Sequence, residues 1–322
     1  MWTIVCVLGL IGTSGAVAQA DTVVVCGNCI PVITVDTIVD TTKTVARIDT
    51  TWADSIQIRF VTRVVYRDSV VITHPTTRPF EPAGAIKLTE LTFDKSGEGN
   101  WSAAGGYTTA PDAVCSAPTV RRYTKSIGTQ TANSFSPGVS TLSIPGQKEL
   151  YFYGCFRLSP TFDGNASNTN KLGPFFGLAK GPQIFFNAQG HGTTAPLYAH
   201  INVQGLVPSA GGVTATGDGT FGGSVVQIVR GKWYMVVITM KVNVWGQNNG
   251  TMSAWLIDPQ TKTTTQFVSK TNLGYIGAKT YPTTTASSMF DFLRMNAIWG
   301  GGLGTITAPT WIEWDHIYVS GK

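Results

Sequence analysis

The sequence predicts an all-β protein, a two-sheet antiparallel sandwich preceded by an extended, β-prone N-terminal segment. Charged residues make up only 13% of the 322 residues and glycine is abundant at 36, which favours strands and turns over helices. From about residue 85 onward, short apolar runs alternate with Gly, Pro, Asn and Ser clusters, a pattern typical of sandwich strands. The clearest strand, 197–204, alternates between an apolar and a polar face.

The first twenty residues predict a cleaved secretory signal. The apolar run 4–11 is too short to span a bilayer, and Ala18-Gln19-Ala20 fits the small-x-small cleavage pattern. The segment before the run carries no Lys or Arg, which is atypical. We therefore expect a mature chain that starts at Asp21, is secreted or displayed at the cell surface, and has no membrane span.

Residues 21–84 have few glycines and repeat an aliphatic-Asp-Thr motif at 35–37, 39–41 and 48–50. Their Val, Ile and Thr content favours extended chain over helix. Two interpretations stay open: a stalk, or strands that pair with a neighbouring subunit, which would let the protein self-associate into filaments. The proline-rich run 74–82 predicts a boundary, so 85–322 is taken as the sandwich domain.

The sandwich domain contains regularly spaced strand patterns with no convincing helical period between them. This arrangement predicts two antiparallel sheets. The predicted strands are 86–93, 149–158, 174–179, 183–187, 197–204, 225–229, 233–245, 251–258, 264–268, 289–299 and 311–319.

Removal of the signal segment, which contains Cys6, leaves Cys26, Cys29, Cys115 and Cys155. An even number of cysteines in an exported chain indicates two disulfides, and three pairings are possible. Proximity favours Cys26–Cys29, which leaves Cys115–Cys155 inside the sandwich. A metal site at Cys26 and Cys29 would need a second pair of ligands that His74 alone does not supply, so no metal is predicted.

The polar face of strand 197–204 is the main candidate for a binding surface. It presents Tyr198, His200, Asn202 and Gln204, a set of hydrogen-bonding and stacking groups that suits a glycan better than bulk water. Trp245 and Trp255 are further candidates for stacking on sugar rings. The net charge of +5 is spread along the chain without a basic cluster, which argues against nucleic acid as a partner. The sequence contains no phosphate-binding or dinucleotide-binding motif, so no cofactor is predicted.

Several runs in the sandwich domain resemble the concanavalin A-like lectin/glucanase superfamily, especially secreted bacterial members near the polysaccharide lyases. They are ELYFYGCFRLSP at 149–160, NKLGPFFG at 170–177, GKWY at 231–234, IWGGG at 298–302 and EWDHIYVS at 313–320. The resemblance covers roughly 85–322 and implies a jelly-roll sandwich whose concave sheet faces a glycan.

The enzymatic motifs of that superfamily are incomplete in this chain. Glu313 and Asp315 lack the second glutamate of the glucanase run, so an acid pair that holds loop amides or a structural cation is the simpler interpretation. For a lyase, the resemblance implies His200 as the base and Arg157 as the group that offsets the uronate charge. Arg294 and Asn296 are added as glycan-binding candidates because they share one face of a strand.

The sequence therefore predicts a secreted or cell-surface protein that holds a polysaccharide on its concave sheet. Two alternatives remain: a polysaccharide lyase that cleaves uronate polymers by β-elimination, and a structural filament subunit assembled through its N-terminal strands.

Overall fold

The computed structural model describes two short strands near the N-terminus and most of the chain from residue 78. The two strands, β1 (Ala18–Gln19) and β2 (Ile38–Val39), pair with each other in antiparallel orientation. They belong to a unit that ends at Val71 and is distinct from the unit Ile72–Lys322. Except for β1 and β2, residues 1–77 lie outside the described residues. This range includes the predicted signal segment, the predicted strand-pairing segment up to residue 77, Cys26, Cys29 and His74. The described ranges of the second unit are 78–94, 106–116, 118–129, 134–136, 138, 140–178, 181–204, 219–276, 284–300 and 304–322.

Strands are the main regular elements in the described residues of the second unit. They are β3 (Ile86–Leu91), β4 (Tyr107–Thr109), β5 (Thr119–Lys125), β6 (Ser140–Gln147), β7 (Glu149–Leu158), β8 (Asn170–Leu178), β9 (Gln183–Gln189), β10 (Leu197–Gln204), β11 (Gly219–Phe221), β12 (Gln227–Ile228), β13 (Trp233–Lys241), β14 (Gly250–Ile257), β15 (Thr264–Leu273), β16 (Phe290–Met295), β17 (Ile298–Trp299) and β18 (Thr310–Gly321).

These strands form two antiparallel sheets. The front sheet has the order β11-β10-β9-β8-β16-β6, with β12 also paired to β10 and β17 to β8. The back sheet has the order β15-β14-β13-β7-β18-β5-β4, with β3 also paired to β18. Within the described residues the only helical element is a 3₁₀ turn, Gly223–Val225, and none of them forms a helix long and apolar enough to cross a membrane. The predicted all-β antiparallel sandwich is confirmed.

The core between the sheets is rich in aromatic side chains. Trp314 of the back sheet is fully buried, and its Nε1 donates a hydrogen bond to the carbonyl oxygen of Leu172 in the front sheet at 2.8 Å. Its ring lies 5.3 Å from that of Phe156 and 6.1 Å from that of Phe152. Trp314 therefore links the two sheets by packing and by a hydrogen bond.

The outer side of the back sheet is covered by residues 78–82, which we call the N-terminal strap. Phe80 stacks on Trp255 with ring centroids 4.1 Å apart and planes 3° apart. Arg78 lies over the Tyr318 ring at 3.4 Å, and Glu81 accepts hydrogen bonds from the hydroxyls of Tyr318 and Ser320. Although the sequence predicted a boundary here, these residues pack on the sheet.

The predicted Cys115–Cys155 disulfide is confirmed. It joins the loop before β5 to β7, with Cα atoms 6.4 Å apart and a sequence separation of 40. The two sulfurs lie in a second apolar cluster on the outer side of the back sheet, together with Tyr151, Tyr153 and Tyr318. The bond therefore fastens this loop to a central strand.

Candidate functional site

Strand β10 presents its polar residues on the outer side of the front sheet, which we call the front face. Leu197, Ala199, Ile201 and Val203 all belong to the core between the sheets. Because strand side chains alternate, Tyr198, His200, Asn202 and Gln204 point to the other side. The predicted register of this strand is confirmed.

Strand β9 contributes a matching polar row that the sequence analysis did not single out. Ile184, Phe186 and Ala188 are core residues, so the alternate positions of β9 lie on the front face. Opposite partners in an antiparallel pair share a face. The register places Gln189 opposite Tyr198, Asn187 opposite His200, Phe185 opposite Asn202, and Gln183 opposite Gln204.

An aromatic patch continues the front face across β8. Phe175 and Phe185 stack with ring centroids 4.8 Å apart, and Lys171 Nζ lies 4.2 Å from the Phe185 ring centroid. Lys171 pairs with Asn187, which places the lysine in the same row as His200. The face thus combines carboxamides, aromatic rings and a cation around one imidazole.

His200 and Asn187 are the chemically exceptional residues of this face. His200 is only 2% exposed, and neither of its ring nitrogens has a hydrogen-bond partner among the described residues. Asn187 is buried beside it; its Nδ2 donates to Oδ1 of Asn202 at 3.2 Å, while its Oδ1 has no partner. A buried polar atom without a partner costs about 1–3 kcal/mol, so the fold maintains this pair at the expense of stability.

Gly222 covers the His200 ring from the side of β11. Its φ of 133° lies in the region that favours glycine. A Cβ at this position would lie 2.6 Å from the carbonyl oxygen of Ala199 and 3.3 Å from His200 Nδ1. The turn after β11 therefore approaches the imidazole closely only because residue 222 has no side chain.

Burial lowers the pKa of His200 from its ordinary value of 6.5 to about 4, so the imidazole is neutral at pH 7. Between these values the unfolded chain binds a proton that the folded protein does not. We therefore expect the stability from this group to be complete above pH 6.5 and to be lost as the pH falls toward 4. An NMR titration of the imidazole, assigned with His200→Gln, measures this midpoint. A midpoint near 6.5 would contradict the buried, neutral state.

The structure separates Arg157 from His200, so their predicted combination in one catalytic site is wrong. Arg157 lies on the outer side of the back sheet, where it binds Glu313 at 2.6 Å and also Asp112. The core lies between this side of β7 and the front face. The alternation within β7 is regular, but the sequence did not reveal which sheet the strand joins.

The other predicted glycan-binding residues, Arg294, Asn296, Trp245 and Trp255, lie in different surroundings. Arg294 is exposed on the front face, paired in register with Phe175 and lying over the Phe292 ring at 4.8 Å. Asn296 accepts a hydrogen bond from Ser134 Oγ at 2.8 Å. Trp255 is on the back sheet, where Phe80 covers its ring, so it lies apart from the front face. Trp245 lies in the loop between β13 and β14.

Glu313 and Asp315 are engaged in structural bonds on the back sheet. Glu313 is fully buried and accepts hydrogen bonds from Arg122 Nε at 2.8 Å and Arg157 Nε at 2.9 Å. The Asp315 carboxylate accepts the backbone N–H groups of Cys115 and Ser116 at 2.9 and 3.0 Å. Burial raises the pKa of Asp315 to about 6. The acid pair thus holds arginines and loop amides, as the simpler interpretation of the sequence expected.

Comparisons with known proteins identify the architecture. The sequence matches no protein-family model, and no curated protein matches it. Among solved structures, the alginate lyase Aly36B is 13% identical with a TM-score of 0.50, covering 74% of this chain and 96% of the enzyme. A variant of that lyase in complex with alginate trisaccharide is 12% identical with a TM-score of 0.50, covering 72% of this chain and 97% of that one.

An endo-β-1,4-glucuronan lyase from the fungus Trichoderma reesei is 13% identical with a TM-score of 0.46, covering 70% of this chain and 92% of the enzyme. At these identities the likeness concerns the fold alone. The likeness to Aly36B shows that the sandwich of this protein has the same jelly-roll fold.

Proposed function

We propose that this protein binds a polysaccharide on its front face. The observation that carries the proposal is the His200–Asn187 pair, which keeps three buried polar atoms without partners on a face lined by carboxamides and aromatic rings. A sugar hydroxyl both donates and accepts hydrogen bonds, as do a neutral imidazole and a carboxamide. Because these atoms are buried beside the turn at Gly222, a glycan reaches them only when that turn shifts, and it would then satisfy atoms that the fold alone leaves unpaired.

The residues around the His200–Asn187 pair suit the apolar C–H surface of a sugar ring. The stacked Phe175 and Phe185 rings and the partly exposed Tyr198 ring offer apolar area for C–H groups. Lys171 and Arg294 add positive charge to the same face, so acidic glycans belong among the first probes. The disulfide supports placing the mature protein outside the cell, because disulfides persist in oxidising compartments.

A lyase is the second candidate, favoured by the unpartnered nitrogens of His200 in a row with Lys171. Elimination needs a base for the proton beside the uronate carboxylate and a cation to offset the developing charge. The pKa of His200 near 4 is far below that of an efficient general base at neutral pH. Binding without cleavage therefore ranks first.

Calorimetric titration of the protein with alginate, glucuronan and neutral β-glucan oligosaccharides tests the proposal, while ultraviolet absorbance records any unsaturated product. We expect one of these classes to bind and His200→Leu to weaken binding by at least about tenfold, through the loss of hydrogen bonds to the ligand. The same variant should keep or raise the unfolding midpoint, because it removes two unpaired buried nitrogens.

His191→Leu is the matched control, since His191 is exposed in the loop between β9 and β10 and should leave affinity unchanged. Product formation that His200→Leu abolishes would favour the lyase. Equal affinities of the wild type and His200→Leu, or no binding of any probe by the wild type, would overturn the proposal.

A further inference from the structure

The loop 242–249, which connects β13 to β14, presents an unusually exposed tryptophan. Trp245 is 48% exposed and its neighbour Val244 57%. An exposed indole offers a flat apolar surface on which a sugar ring can stack. Trp245 makes no ring contact among the described residues, in contrast to Trp255 beneath the N-terminal strap.

Asn243 holds this loop in one conformation. It is buried, and its Nδ2 donates hydrogen bonds to the carbonyl oxygens of Val244, Gln247 and Ile276 at 2.9, 2.7 and 3.0 Å. Its Oδ1 accepts the N–H groups of Tyr275 and Ile276 at 2.7 and 2.9 Å. Because the backbone is fixed before any ligand arrives, binding at Trp245 has a low ordering cost.

The sheet register places this loop at a particular end of the sandwich. Lys241, which ends β13, pairs with Glu149 at the start of β7. Residue 148 alone separates β6 from β7, so the last residue of β6 marks the same end in the front sheet.

Two carboxamides of the front face, Gln183 and Gln204, lie at the same end of the sandwich. At the end of β6, Gln147 pairs with Phe290 of β16, which also pairs with Leu178 of β8. The neighbour of Leu178, Gly177, pairs with Gln183 of β9. Gln183 in turn pairs with Gln204. The ring of Tyr275, adjacent to the Asn243 anchor, packs edge-on against Phe290 at 5.6 Å. The polar rows of the front face and the Trp245 loop therefore lie at the same end of the sandwich.

From this arrangement we infer that Trp245 forms an outlying subsite for a long glycan. The inference rests on the proposed function and extends it: the chain runs along β9 and β10 from the His200–Asn187 pair, passes Gln183 and Gln204, and stacks a further sugar ring on the indole. His200 and Gln204 are about 13 Å apart along the strand, so only an oligosaccharide of several sugars reaches both the pair and Trp245.

The test compares a trisaccharide and the polymer of whichever probe class binds, using the wild type, Trp245→Ala and Trp245→Phe. Trp245→Ala should weaken polymer binding by about three- to tenfold, the loss expected for one aromatic contact, and leave trisaccharide affinity unchanged. Trp245→Phe should restore most of the polymer affinity.

Unchanged polymer affinity in Trp245→Ala would overturn the subsite. An equal loss for both lengths would also overturn it, because Trp245 would then act on the central site. A change in oligomeric state by light scattering would instead assign the indole to a contact between copies. The proposed function is tested separately by trisaccharide binding. If that binding depends on His200, the proposed function stands even when one of these results overturns the subsite.

Discussion

Replacing Trp314 with alanine should lower the free energy of unfolding by about 3–5 kcal/mol. The indole is fully buried between the sheets, packs against Phe152 and Phe156, and donates to the Leu172 carbonyl of the opposite sheet. Its removal leaves a cavity and an unpaired buried carbonyl. The midpoint of denaturant unfolding, with an unchanged slope, measures the effect.

Two further variants separate the contributions in this prediction. Trp314→Phe keeps an aromatic ring but removes the N–H donor, so an intermediate loss is expected. Trp245→Ala removes an exposed indole and should change stability by no more than about 0.5 kcal/mol. Equal midpoints for Trp314→Ala and Trp245→Ala would show that the core does not depend on the buried ring.

Replacing Glu313 with alanine should destabilise the protein by about 3 kcal/mol or more, since it leaves charged guanidinium groups without their buried partner. Glu313 is fully buried and holds both Arg122 and Arg157, whose side chains are 34% and 13% exposed. The partial exposure of Arg122 places the expected loss near the lower end of the range for buried pairs. Thermal or denaturant unfolding measures it.

Asp112→Ala is the matched control because Asp112 also pairs with Arg157 but is 59% exposed. Its removal should cost no more than about 1 kcal/mol. Glu313→Ala should leave glycan affinity unchanged below its melting temperature, since Glu313 lies on the back sheet. A selective loss of affinity with normal stability would reassign this cluster to the binding site.

The fold was predictable where the strand pattern is strong. Strands β7 and β10 have the predicted bounds 149–158 and 197–204, because apolar and polar residues alternate in β10 and β7 is a run rich in aromatic residues. Strands β4, β5, β6 and β11 were not predicted. β6 lies at a sheet edge, and its Pro145 and Gly146 interrupt the residue pattern that marks a strand in the sequence, whereas β4 and β11 are only three residues long.

The candidate site was half predictable. The polar row of β10 followed from its alternation, and the same reasoning applied to β9 would have found Asn187, because Gln183, Phe185, Asn187 and Gln189 alternate with apolar residues. The positions of Arg157 and Trp255 could not be derived in this way. Periodicity assigns a residue to a face of its strand, but pairing over long sequence distances decides which sheet contains the strand and what covers it.

The position of the Cys115–Cys155 bond determines how it responds to reductants. Thiol–disulfide exchange requires a thiolate to reach a sulfur atom, and both cysteines are buried beside Tyr153. The Asp315 carboxylate also holds the backbone of the loop that carries Cys115. A reductant therefore reaches the bond only in conformations in which this loop has detached. We therefore expect the rate of reduction of the native protein to report how often the loop opens.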